Sequence, residues 1–146
     1  MSRALRAGGW GSVPCVVLCV ALGCSSEPPE PNECPAPRAA FALSLSAQDG
    51  ELPSDTQLDV TFSAGREVFA LAEPGQALEA VRCETVVEAE RVVALSCALW
   101  TDGPADVAVT ATGFNSLRQS LAHEVDDCGV RTVDVELELE PKPESP

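Results

Sequence analysis

The residues of this 146-residue chain that could do chemistry are seven cysteines, a single histidine and 23 acidic side chains. A hydrolytic triad would need His123 as its base. His123 shares parity with Leu117, Leu121 and Val125, which aims it at the core or its rim and predicts a hydrogen-bonded structural histidine. Asp134, Glu136, Glu138 and Glu140 alternate with Val133, Val135, Leu137 and Leu139. Like charges spaced about 6.6 Å apart on one strand face suit a solvated surface or a protected edge, not a buried glycosidase pair. Asp49 with Asp55, Asp102 with Asp106, and Asp126 with Asp127 fall in predicted loops and could offer hard oxygen ligands to calcium. None follows an EF-hand or repeat spacing, and turn formation explains them more simply. No catalytic residue, metal ligand or cofactor is predicted.

The cysteines divide into two groups. Cys15, Cys19 and Cys24 lie in or beside an apolar N-terminal run; Cys34, Cys83, Cys97 and Cys128 are spread along the rest. Four cysteines in a small exported domain predict two disulfides, with three possible connectivities. Zinc is the rival, but no Cys-x-x-Cys pair exists.

Arg3 and Arg6 give the N-terminus a positive flank, and Val13 to Leu22 form an apolar core of ten residues. That is half of the roughly 20 residues a membrane-spanning helix needs, so residues 1–23 are expected to be a removable export signal. The stretch Val20-Ala21-Leu22-Gly23-Cys24-Ser25-Ser26 resembles the lipobox of bacterial lipoprotein precursors, with Gly23 at the small position and Cys24 at the invariant one. Ala21 stands where that family usually has Leu. Cys15 and Cys19 follow Pro14 and Leu18 and do not meet the requirement for a preceding small residue. By the resemblance, Cys24 carries thioether-linked diacylglycerol and an acylated amine, palmitate being a typical chain. At about 0.8 kcal/mol per buried methylene, several chains make a durable anchor. Ser25 and Ser26, with no Asp after Cys24, resemble lipoproteins sent to the outer membrane.

Loss of residues 1–23 removes only Arg3 and Arg6 of the nine basic residues, leaving 123 residues with 7 basic against 23 acidic side chains, a formal net charge of −16. So negative a surface repels nucleic acid and anionic headgroups and favours cationic or neutral partners. Residues 24–37 hold five prolines and three glutamates and read as an extended tether, able to hold a domain up to ~40 Å from a membrane. A single domain is expected over 38–140, with a disordered Pro-rich tail over 141–146.

Within that domain period-two alternation recurs and helical periodicity does not. Phe41, Leu43 and Leu45 share one face; Leu58, Val60 and Phe62 make a second strand; Val68 to Ala72 a third. The hairpin from Glu79 to Trp100, centred on Glu90 with a loop of Ala89, Glu90 and Arg91, sets Val81 opposite Leu99, Cys83 opposite Cys97, Thr85 opposite Leu95 and Val87 opposite Val93. Directly opposed residues are about 4.5–5.5 Å apart at Cα, within disulfide reach. This register predicts Cys83–Cys97 and leaves Cys34 with Cys128. Trp100 falls on the face opposite Leu99, beside a turn. The expected fold is all-β, one antiparallel β-sandwich of seven or eight strands.

The run Val107-Ala-Val-Thr-Ala-Thr-Gly-Phe114, followed by Asp127-Cys128-Gly129 and the alternating final strand, resembles the transthyretin-like, carboxypeptidase-regulatory-type sandwich of exported bacterial proteins. An immunoglobulin-like sandwich is the alternative. The resemblance implies a non-catalytic module. The expected function is therefore an interaction or structural module of the cell envelope, held to the membrane by the lipid on Cys24, with an envelope protein as partner. A displayed binder of sugar, peptide or calcium is the alternative.

Overall fold

A computed structural model describes residues 34–73 and 75–143. The predicted signal, the predicted lipid site at Cys24, most of the expected tether and the last three residues lie outside these. The described part is all-β: β1 (Phe41–Ala47), β2 (Gln57–Phe62), β3 (Gly65–Ala70), β4 (Val81–Glu88), β5 (Arg91–Leu99), β6 (Ala105–Thr110), β7 (Leu117–Leu121), β8 (Glu124–Asp126), β9 (Gly129–Arg131) and β10 (Val133–Leu139). One sheet has the order β10-β1-β5-β4, a second the order β3-β2-β6-β7, and β8 and β9 form a separate hairpin.

Alternation explains which side of each strand is covered. Phe41, Leu43, Leu45, Leu95, Cys97, Leu99, Val135, Leu137 and Leu139 of the first sheet and Leu58, Val60, Val107, Val109 and Leu121 of the second join one buried cluster. Two sheets share a core, as in a β-sandwich. Each such side chain, fully buried, contributes about 1.5–3 kcal/mol relative to exposure. Their alternates, Ser44, Ser96, Glu136 and Glu138 among them, are exposed.

Several features depart from the sequence expectation. Ten strands are present among the described residues, and β1 pairs with β10 in parallel, Phe41 beside Val133 through Ala47 beside Leu139. Parity cannot distinguish a parallel from an antiparallel neighbour, because both place alternate residues on one face. The expected strand through Leu117, Leu121 and Val125 ends at Leu121; Val125 belongs to β8 and is 68% exposed. The β8–β9 hairpin is held instead by the Cys34–Cys128 disulfide, the Arg38–Asp126 ion pair at 2.8 Å, and an Asx turn in which the Cys128 N–H donates to Asp126.

The β4–β5 hairpin keeps the expected register from Val81–Leu99 to Val86–Ala94, then shifts. Val87 pairs with Val92 rather than Val93, and Glu88 with Arg91, so the loop has two residues. Ala89 and Glu90 both adopt left-handed conformations, φ 47° and 66°. Two consecutive left-handed residues match the twist of a tight hairpin, and a bulge at Val93 absorbs the extra residue. Asn-Gly is the usual signal for that turn, and Ala-Glu carries no trace of it. At the C-terminal end, Pro141 bridges Phe114 and the Lys142 N–H donates to the Gly113 carbonyl, so the first residues of the predicted tail are attached.

Candidate interaction surface

The outer face of the first sheet is laid out in three cross-strand rows. Asp134, Ala42, Ala98 and Arg82 form one; Glu136, Ser44, Ser96 and Glu84 the next; Glu138, Ser46, Ala94 and Val86 the third. The two middle strands carry only Ala and Ser on this face, and the flanking strands carry the long side chains. At about 4.8 Å per strand the result is a shallow trough floored by small residues, bounded by carboxylates on β10 and by mixed side chains on β4.

Trp100 stands at one end of this trough. It directly follows the buried Leu99, so alternation turns it outward, and its N–H donates to the Ala80 carbonyl at 2.7 Å. Trp100 is 39% exposed, and the Arg82 guanidinium lies 5.5 Å from the ring centroid. A cation–π contact at an exposed site contributes roughly 0.5–1 kcal/mol and fixes the ring's orientation. The trough thus offers one oriented aromatic face, hydroxyls at Ser44 and Ser96, and carboxylates at both flanks. That set can stack on a flat group and accept hydrogen bonds from a cationic or polar one.

The outer face of the second sheet is polar in a different way, because its charges are used internally. Asp59 accepts from Arg66 Nε at 2.8 Å and also from Arg66 Nη2. That hydrogen bond, with the positive charges of Arg66 and Arg118, holds the Asp59 carboxyl below the ordinary carboxylate range. Ser120 donates its hydroxyl to Asp106. An open depression of about 460 Å³ between Asp59, Asp106, Arg118 and Ser120 is correspondingly self-neutralised.

The loop carboxylates read from sequence as turn formers rather than calcium ligands are separate from one another in their roles. Asp55 accepts from the Thr112 hydroxyl and from the Thr112 N–H at 3.1 Å, which lowers its pKa, the hydroxyl contributing most. Asp126 is lowered chiefly by its bond from Arg38, then by the Cys128 N–H. Asp49, Asp102 and Asp127 are exposed. Among the described residues no three His, Cys, Asp or Glu side chains converge to hold an ion.

His123 was expected at the core or its rim; it is exposed, in the link between β7 and β8. Parity failed there because β7 stops at Leu121 and the following residues start a new element. The acidic row Asp134, Glu136, Glu138 and Glu140 is exposed throughout. Cys83 is joined to Cys97 with Cα atoms 4.1 Å apart, and Cys34 to Cys128 at 5.2 Å.

Two residues carry more than alternation alone revealed. Glu67 on β3 receives the N–H groups of Glu79, Ala80 and Val81 at 2.9–3.1 Å, fastening the second sheet to the start of β4. No sequence pattern marks a carboxylate that binds backbone 12 to 14 residues away. The Arg82–Trp100 pair could have been found, since the hairpin register sets Arg82 opposite Ala98 and both residues on the outer face. Comparison of the chain with family models, curated proteins and solved structures found no match.

Proposed function

We propose that this chain is a lipid-anchored protein of the bacterial envelope, a non-catalytic module that binds another envelope component through the outer face of its first sheet. The observation that carries the reading is the trough of Ala and Ser headed by the Arg82–Trp100 pair and flanked by Asp134, Glu136 and Glu138. Exposed aromatics with an adjacent guanidinium are the residues that dominate protein interfaces, and the acidic flanks favour a cationic partner. Placement at the outer membrane rests on the lipobox-like segment at Cys24 with Ser25 and Ser26 after it. The same exposed ring favours a second reading, a sugar or peptide stacked on Trp100.

Strand order supports the transthyretin-like form of the sandwich over the immunoglobulin-like one. In the latter, the second and third strands lie in opposite sheets. Here β2 and β3 are hydrogen-bonded neighbours, paired from Gln57–Ala70 to Phe62–Gly65.

A photoreactive residue placed at Ser96 in the trough, in cells, tests the reading against the same residue at Gln119 on β7. The expected result is one protein joined reproducibly through position 96, at a yield that falls when Trp100 is replaced by Ala. Equal adducts at both positions, or none at 96, would refute the assignment of this face. A labelled sugar in place of a protein would select the second reading.

A further inference from the structure

We propose that the free edge of β4 pairs with the same edge of a second copy of this chain, antiparallel about a two-fold axis at Thr85, joining two first sheets into one of eight strands. Among the described residues β4 has a strand on one side only, β5. Its far end carries two of the most exposed large apolar side chains, Val86 at 42% and Val87 at 55%, one on each face of the strand. Edge strands invite pairing unless charges, bulges or covering loops prevent it. The opposite edge of the sheet, β10, presents Asp134, Glu136 and Glu138, like charges that would meet one another in a self-pairing. On β4 the outer-face sequence is Arg82, Glu84, Val86, Glu88, mixed in sign and part apolar.

Which backbone groups face the free edge follows from spacing. Cys83 and Cys97 are 4.1 Å apart at Cα, the close spacing of a non-hydrogen-bonded antiparallel pair, so their N–H and C=O groups point away from each other. Two independent bonds give the same parity: the Val81 N–H leaves the sheet to reach Glu67, and the Trp100 N–H turns toward β4 to reach Ala80. Cys83, Thr85 and Val87 therefore present their peptide groups outward. A two-fold antiparallel pairing must bond through these peptide groups, its axis falling on one of the three or on Glu84 or Val86 between them. An axis at Glu84 sets that carboxylate against its own copy, and an axis at Val86 sets Glu84 against Glu88.

Only one centre is consistent with the side chains. Centring on Cys83 would require the Val81 N–H, which Glu67 already holds. Centring on Val87 would set Glu84 against Glu90 and draw the left-handed Ala89 into the ladder. Centring on Thr85 sets Thr85 against its own copy, Arg82 against Glu88, Cys83 against Val87 and Glu84 against Val86. Opposite charges then meet twice, and no carboxylate faces another. Cross-strand Thr–Thr, opposite-charge and apolar pairs are the stabilising ones. An open groove of about 650 Å³ bordered by Phe69, Leu78, Arg82, Cys83, Glu84 and Trp100 leaves room beside the edge for the incoming strand's end.

The test is sedimentation velocity of the full chain, extracted from its native membranes in detergent. The wild type is expected to sediment as a dimer. Arg82→Glu and Glu88→Arg, each counted twice across the axis, should weaken association by roughly tenfold or more. The double variant Arg82→Glu/Glu88→Arg should restore it, which a merely misfolded protein would not do. In a separate experiment, Thr85→Cys should form a covalent dimer under mild oxidation and Glu88→Cys should not, because the two copies of residue 88 lie about 20 Å apart along the strands. A monomeric wild type, a double variant no tighter than the singles, or equal cross-linking at 85 and 88 would overturn the proposal.

Discussion

Asp55, Asp59 and Asp126 each hold a carboxylate that the protein's own donors keep ionised: Thr112, Arg66 and Arg38 respectively. Because the folded pKa of each lies below the unfolded value, the unfolded chain binds more protons in acid, and stability rises with pH across the titration. The stabilisation is complete above the ordinary carboxylate range and is lost as pH falls below about 4. Urea midpoints are expected to be level between neutrality and pH 5 and to drop below pH 4. Asp55→Asn should flatten that drop; an unchanged acid limb in this variant would show that the Thr112 contact does not contribute. The disulfides act at the same scale but through the unfolded chain. Cys34–Cys128 spans 94 residues and Cys83–Cys97 spans 14. On the loop-entropy relation their removal should cost about 4.7 and about 3 kcal/mol respectively, measured as the loss of unfolding free energy in Cys→Ser pairs. The cysteine pairing could be read from the hairpin register, whereas the exposure of His123 could not, because it depended on where β7 ends.

At the scale of elements, the strands with clean alternation, β1, β2, β6 and β10, were legible because each has one face in the shared core. The tip of the β4–β5 hairpin was not, since centring on Glu90 assumed three loop residues where the structure has two with a bulge. That turn is strained: non-glycine residues in the left-handed region cost roughly 1–2 kcal/mol each. Ala89→Asn with Glu90→Gly, the favoured pair for this turn, should raise unfolding free energy by about 1–2 kcal/mol. A neutral or destabilising result would argue that Val87–Val92 is not the true register. Glu67→Ala removes the acceptor of three N–H groups that fasten β3 to β4 and should cost about 1–3 kcal/mol, with hydrogen exchange accelerated at Ala80 and Val81. Unchanged exchange at those two amides would show that the carboxylate is not their partner.

For the whole molecule, composition and the lipobox-like segment speak to location, and the sheet faces speak to binding. The whole chain has a formal net charge of −14, and its second sheet pairs the Asp59 charge with Arg66 and satisfies Asp106 with the Ser120 hydroxyl. The acidity left for a partner lies along β10 and the first sheet, so association with a cationic partner should weaken steeply with added salt. The trough itself was only half legible: alternation gave its outward residues, but the neighbours across it follow from the parallel β1–β10 pairing, which no local pattern encodes. The measurement that tests the central claim most directly is the mass of the N-terminal peptide of the protein taken from its native membranes. The account predicts a peptide that begins at Cys24, continues Ser25-Ser26, and carries a diacylglyceryl group and an acylated amine. An unmodified Cys24, or a chain that begins elsewhere, would contradict it.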